Sequence, residues 1–217
     1  MSREKKIVIV DYGLGNIHSI SKAFANFGQK IIISNDSEVI ENADGVVLPG
    51  VGAYGAAMKG LEKFDLVSTI SKIADQNKPL LGICVGAQLF FSEGHEFGIH
   101  KGLGIVPGKV IKFDPKLCSE KIPHIGWNSI FPKEGKTWEN TIFENVGPAD
   151  QLYFVHSYYF KPDSEENILS MTTYGGYMFC SAVKKGNVYG CQFHPEKSGK
   201  IGLNIIHGFI KTVDSID

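Results

Sequence analysis

Pro79-Leu80-Leu81-Gly82-Ile83-Cys84-Val85-Gly86-Ala87-Gln88-Leu89-Phe90-Phe91 changes character at its cysteine. The apolar run before Cys84 reads as a buried strand, and Ala87 to Phe91 behind it as the opening of a helix. Glycines stand two positions either side, in Gly82-Ile83-Cys84-Val85-Gly86. This is the G-x-nucleophile-x-G elbow with sulfur in place of a serine hydroxyl. A strand turning sharply into a helix pushes its corner residue outward, and glycine at ±2 avoids a clash at so tight a bend. The corner also meets a helix N-terminus, where free N–H groups favour a thiolate. A lone cysteine after a strand is otherwise a small buried hydrophobe, so the nucleophile reading needs a base.

Outward from the elbow, the first half alternates strand and helix signals. Ile7–Val10, Lys30–Ser34, Gly45–Leu48 and Pro79–Ile83 are apolar strands. A helical period through Ile17, Ile20, Phe24 and Phe27 ends at Gly28, and further helices are predicted over Ala53–Lys63 and Leu66–Gln76. Continuous apolar strands separated by helices imply a parallel sheet covered on both faces. In the second half Gly104–Phe113, Asn128–Phe131, Leu152–Phe160, Ile168–Thr173, Met178–Val183 and Val188–Phe193 are strand-like with short turns, which predicts an antiparallel extension of the sheet. A last helix carries Ile201, Ile205, Ile206, Phe209, Ile210 and Val213 inward. The expected fold is a three-layer α/β sandwich with a mostly parallel central sheet, one domain over residues 1–217.

Composition narrows the function. A net charge of −1 over 217 residues argues against a nucleic-acid binder. The basic start Arg3-Glu4-Lys5-Lys6 is short and runs into a strand rather than a signal-peptide core. No apolar run approaches a membrane span. Cys84, Cys118, Cys180 and Cys191 have neither zinc-site nor disulfide spacing, so no metal is expected and a reducing cytoplasm is the default compartment.

Seven histidines compete as the base. In Tyr189-Gly190-Cys191-Gln192-Phe193-His194-Pro195-Glu196, strand alternation puts His194 and Glu196 on one side, so the glutamate is placed to hold the imidazole tautomer. Cys191 has the opposite parity and faces away. His18 reads as solvated. His95 and His100 lie in a glycine-rich loop with no carboxylate in an obvious orienting position, and His207 belongs to the last helix. His124 and His156 stand between apolar residues, as satisfied structural histidines or as part of a binding wall.

Acyl transfer also needs an oxyanion hole. Pro49-Gly50-Val51-Gly52 follows a strand and reaches the same carboxyl edge as Cys84, so Gly50 and Val51 supply one candidate peptide N–H and Val85 the second. Gly50-Val51-Gly52-Ala53-Tyr54-Gly55 also matches the dinucleotide-binding pattern. The acid that pattern wants at the next strand tip is missing, and no cofactor is expected.

With the elbow and His194-Pro195-Glu196 placed, the chain resembles the class I (triad) glutamine amidotransferases, whose fold is flavodoxin-like. The likeness takes in Asp11-Tyr12-Gly13-Leu14-Gly15-Asn16, Leu48 to Gly52, Gly102-Leu103-Gly104, Pro123 to Asn128, Tyr153 to Tyr158 and Gln192 to Ser198. Within that family it is closest to glutaminase subunits serving a (β/α)8-barrel synthase of histidine biosynthesis. The resemblance implies a catalytic triad of Cys84, His194 and Glu196, with a glutamine pocket from Gly52, Gln88, His156, Ser157 and Tyr158. It implies a one-to-one heterodimer with the barrel subunit, with Asn16, Trp127, Asn128 and Lys197 toward the partner. It also implies that the Pro49–Gly52 peptide reorients to complete the oxyanion hole. The family's elbow usually continues Cys-Leu-Gly-Met-Gln, whereas here it is Cys84-Val85-Gly86-Ala87-Gln88, and the loop of residues 93–101 is longer. Two other readings are a paralogous subunit feeding a sugar amidotransferase and a cysteine hydrolase of similar architecture.

Overall fold

The computed structural model describes residues 5–147 and 150–216, so Arg3 and Glu4 of the basic start lie outside the described residues. Fully buried β1 (Ile7–Val10), β3 (Gly45–Leu48) and β4 (Leu80–Ile83) form the middle of the sheet, with β2 (Ile31–Ser34) at one edge. Their pairings β1–β2, β1–β3 and β3–β4 are all parallel. The connecting helices are α1 (Ile17–Ala25), α2 (Ser37–Glu41), α3 (Tyr54–Lys63) and α4 (Leu66–Asp75). Right-handed crossovers from strand order β2-β1-β3-β4 put α1 on one face and α2, α3 and α4 on the other. The C-terminal helix α6 (Gly199–Asp214) joins α1, with Phe24 and Phe209 edge to face at 6.3 Å. That gives the three layers.

The elbow helix α5 (Val85–Gln88) is a single turn, and the predicted continuation through Phe91 does not occur. The chain enters strand β5 (Phe91–Gly94), where Phe91 stacks on Phe160 at 5.1 Å. β5 runs parallel to β7 (Val106–Lys112) and antiparallel to β6 (His100–Lys101), so the loop of residues 93–101 is a hairpin.

Two further strand assignments change, the first being Asn128–Phe131, which divides between a strand ending at Ser129 and a short one from Phe131. Leu152–Phe160, predicted as one strand, breaks at Ser157 into β10 (Gln151–His156) and β11 (Tyr158–Pro162). β10 leaves the main sheet to pair with β8 (His124–Ser129), while β11 pairs with β7. β9 (Phe131–Pro132), β12 (Ile168–Tyr174) and β13 (Tyr177–Lys185) complete the antiparallel side. β14 (Val188–Cys191) belongs to both sides, antiparallel to β13 but parallel to β4.

That last pairing positions the chemistry. Gly190 lies opposite Gly82 and Cys191 opposite Ile83, and the Cys84 N–H donates to the Cys191 carbonyl at 2.8 Å. Cys84 itself has φ +53° and ψ −115°, a left-handed corner that a β-carbon-bearing residue enters only under strain. The flanking glycines are needed for space. A β-carbon on Gly86 would stand 2.1 Å from the Leu48 carbonyl oxygen, and one on Gly82 would run into the Phe90 ring at 2.6 Å. Gly86→Ala is expected to lower stability by about 1–3 kcal/mol, the usual cost of overpacking. An unchanged midpoint in urea denaturation would contradict that packing.

Candidate active site

Beyond β14 the chain reaches His194, whose N–H donates to the Tyr153 carbonyl at 2.9 Å and whose carbonyl accepts from Ser198 Oγ at 2.6 Å. Pro195–Lys197 is a 3-10 turn with His194 as its N-cap, not a continuation of the strand. Strand parity is therefore the wrong reason for the His194–Glu196 pairing. The turn, opened by the fixed φ of Pro195, brings Glu196 Oε1 to 2.8 Å from His194 Nδ1. Both side chains are almost wholly buried, at 2 % and 1 % exposure. With Nδ1 held by the carboxylate, the other ring nitrogen is left for the thiol, and His194 is hydrogen-bonded to Cys84.

Burial alone would pull the His194 pKa down. The hydrogen bonds to Cys84 and Glu196, with their negative charges, outweigh it and push the value up to about 9. The arrangement sets the Cys84 sulfur against an imidazole oriented by a carboxylate and held protonated to about pH 9, which suits nucleophilic attack on an acyl carbon. Cys191, the nearest rival thiol, is fully buried, and its pKa is pushed far up by burial and then by the Glu196 charge.

A cavity of about 310 Å³ opens over Cys84. Its walls include Val51, Gly52, Val85, Gln88, His156, Ser157, Tyr158 and His194. The glutamine-pocket residues expected from the sequence thus converge on one space. At its rim, Tyr12 Oη donates to the Pro49 carbonyl at 2.6 Å, and Gly50 packs against the backbone of Val85 and Gly86. The loop is clamped up to Gly50 and opens to solvent at Val51 and Gly52, the latter with φ +92°.

His124 and His156 are structural as well as lining. The His156 Nδ1–H donates to the Tyr158 carbonyl at 2.8 Å, so its Nε2 accepts from His124 Nδ1–H at 3.0 Å. His124 Nε2 then accepts from Asn128 Nδ2 at 3.4 Å. Burial keeps both rings neutral, lowering the His124 pKa to about 4 and that of His156 to about 3.

The residues assigned to a partner divide. Trp127 is 53 % exposed beside Tyr153, and Lys197 is exposed on the 3-10 turn. Asn16 is half-buried and caps α1 by accepting from the Ser19 N–H. Asn128 is turned inward, its amide committed to the Thr173 carbonyl at 3.0 Å as well as to His124.

Sequence reasoning missed two residues. Glu96 is the one carboxylate among the cavity's lining residues, its Oε2 accepting the Tyr54 N–H at 2.6 Å. Nothing in its loop announced that position. Gln192 is fully buried, and its Nε2 donates toward Cys84 Sγ at 3.8 Å. Its signal was available in the sequence, where Gln192 stands two residues before His194 at the end of the predicted strand Val188–Phe193, although β14 itself ends at Cys191. His95, expected to lack a carboxylate, has Glu93 Oε1 at 2.8 Å on the hairpin. Among the described residues, no group of three or more His, Cys, Asp or Glu is arranged to hold a metal ion.

An elbow thiol, a histidine–glutamate pair and a three-layer sheet define a class, and the sequence profile of the glutamine amidotransferase class-I family matches residues 8–212. The chain belongs to that family. It is 45 % identical over 212 residues to the imidazole glycerol phosphate synthase subunit HisH of Aquifex aeolicus, covering 97 % of this chain and 99 % of the relative. The HisH subunit of Lactococcus lactis is 44 % identical over 210 residues, covering 96 % and 100 %. Among solved structures, PurLQS from Thermotoga maritima shares the fold at a TM-score of 0.71 with 16 % identity, over 97 % of this chain and 100 % of that one.

The proton map can be checked directly. Histidine side-chain NMR should show His194 titrating near pH 9 while His124 and His156 stay neutral down to about pH 4. His194, raised in the fold, contributes stability that is complete below about pH 6.5 and is lost as pH rises toward 9. His124 and His156, lowered in the fold, cost stability as pH falls from about 6.5 toward 4. An ordinary titration of His194 near pH 6.5 would contradict the grip of Cys84 and Glu196 on its ring.

Proposed function

We propose that this chain is the glutaminase subunit of an imidazole glycerol phosphate synthase. It hydrolyses glutamine to glutamate and ammonia and passes the ammonia to a (β/α)8-barrel synthase subunit. That partner yields imidazole glycerol phosphate and AICAR in histidine biosynthesis. The carrying observation is that Cys84 and His194, the latter held from behind by Glu196, face a cavity lined by a single carboxylate, Glu96. The near full-length identity to HisH subunits supports the choice of pathway.

In the proposed reaction Cys84 Sγ attacks the side-chain amide carbon of glutamine. The oxyanion forms against the Val85 N–H, a first-turn donor without an intrahelical partner, and against a peptide N–H of the Gly50–Val51 segment. His194 gives its proton to the leaving nitrogen, the C–N bond breaks and ammonia departs, leaving a thioester. Water then attacks that thioester with His194 as base, releasing glutamate and restoring the thiol. Glu196 holds the imidazole in the tautomer both steps need. Glu96 supplies the countercharge for the substrate α-ammonium, while Gln88, Gly52 and the His156–Tyr158 segment enclose the side chain.

A loop clamped at Pro49 and exposed from Val51, with Gly52 at positive φ, suits a peptide that turns when the partner is loaded. Trp127 and Lys197, both exposed, and Asn16 mark the side we assign to the partner in a one-to-one complex. The four cysteines are free thiols, in keeping with a reducing cytoplasm as the place of action. Among the described residues no helix is long and apolar enough to cross a membrane. We treat residues 1–217 as one domain.

Three measurements test this. A glutamine-like diazoketone should label Cys84 and be blocked by glutamine, and absence of labelling would favour a cysteine hydrolase instead. The isolated chain should turn over glutamine on the order of 10²–10³-fold more slowly than the loaded complex, the worth of one oxyanion donor. Full activity of the isolated chain would sink the gating. A pull-down from the native cell should return a barrel synthase, whereas recovery of a sugar amidotransferase would keep the glutaminase and overturn the pathway.

A further inference from the structure

We propose that Gln192 positions the Cys84 sulfur, its side-chain amide donating to Sγ in an orientation dictated by the Tyr158 carbonyl through Gln88. The inference rests on Cys84 being the nucleophile. Gln192 is fully buried, so both ends of its amide need partners inside the protein. Its Oε1 accepts from Gln88 Nε2 at 3.1 Å, and its Nε2 faces Cys84 Sγ at 3.8 Å.

The direction of these bonds follows from one fixed point. A carbonyl can only accept, so the Tyr158 oxygen, at 3.5 Å from Gln88 Nε2, turns the Gln88 amino group toward itself. The same amino group then presents a donor to Gln192, which must answer with its oxygen. That leaves the Gln192 amino group for the sulfur. Reversing Gln192 would set two amino groups against each other and place an oxygen against the sulfur. The Tyr158 carbonyl is held in turn by His156 Nδ1–H at 2.8 Å.

The nucleophile is thus gripped from two sides, by the imidazole of His194 and by the amide of Gln192. Gln88, which lines the substrate cavity, links Gln192 to the Tyr158 carbonyl, so filling that cavity acts on the donor that holds the sulfur.

The test is the rate of Cys84 alkylation by iodoacetamide across pH in the full chain, with Cys84→Ala as the blank. Gln192→Met keeps the side-chain volume and removes the donor. It is expected to slow alkylation at pH 7 about tenfold, to move the rate profile up by about one pH unit, and to cut glutamine turnover by a similar factor. A folded Gln192→Met chain with the native profile overturns the proposal. Failure of native Cys84 to react, or of glutamine to protect it, overturns the nucleophile reading instead. If Gln192→Met does not fold, the native chain still answers, because the Gln192 side-chain amide protons must shift in NMR when Cys84 is alkylated. An unmoved resonance overturns the proposal as well.

Discussion

The parallel pairing of β4 with β14 is the constraint on which the site depends. Strand alternation gives a one-residue slip a large effect, turning every side chain to the opposite face. Here the pairing sets Cys191 opposite Ile83 and ties the Cys84 amide to the Cys191 carbonyl. From that point each strand has one residue or three to run before its functional side chain. Cys84 turns outward at once, and His194 arrives after Gln192 and Phe193. The second half of the chain reaches this place because β13 and β14 form a hairpin whose return strand completes the parallel set. Two halves of different character thus meet at one edge of the sheet, where Cys84 and His194 stand.

Much of this was legible in the sequence, and the reasons are local. β1, β3 and β4 are short runs of fully buried residues, and a run with no polar face admits little else. The elbow was legible because a residue at φ +53° between close-packed backbones demands small neighbours, which Gly82 and Gly86 are. The end of the helix after Gln88 was not. Leu89, Phe90 and Phe91 are all buried, and buried apolar runs carry no period that separates helix from strand. The break at Ser157 was hidden for a related reason. Strand-forming residues run unbroken across it, and only the departure of β10 toward β8, with burial shifting from Leu152, Phe154 and His156 to Tyr159 and Phe160, distinguishes the two strands.

The histidine–glutamate pair was reached by an argument that the fold does not support. Two residues apart on a strand and two residues apart across a 3-10 turn both allow contact, but by different geometry. Gln192 stood in the same predicted strand, two residues before His194. Glu96 offered no such handle. It sits on a hairpin beside exposed Phe97 and Ile99, and its place at the cavity follows from β5 pairing with β7 and β6, a long-range arrangement. Asn128 shows the converse. A residue assigned to a partner turns out to anchor the buried histidine chain behind Tyr158.

The short elbow helix also changes how the sulfur must be held. A helix dipole acts through the unpaired N–H groups of its first turn, and α5 is one turn long. Its amides can face an oxyanion or help the sulfur, but they offer little beyond that. The positive charge near Cys84 comes from His194, which stays protonated to about pH 9 because the sulfur and Glu196 both draw on it. Elsewhere around the cavity the histidines are kept neutral: His124 and His156 spend their protons on a directed chain ending at the Tyr158 carbonyl. The site therefore places one mobile proton beside the Cys84 sulfur and fixes the rest, so in the proposed reaction a glutamine amide entering the cavity meets a single acid able to release its nitrogen.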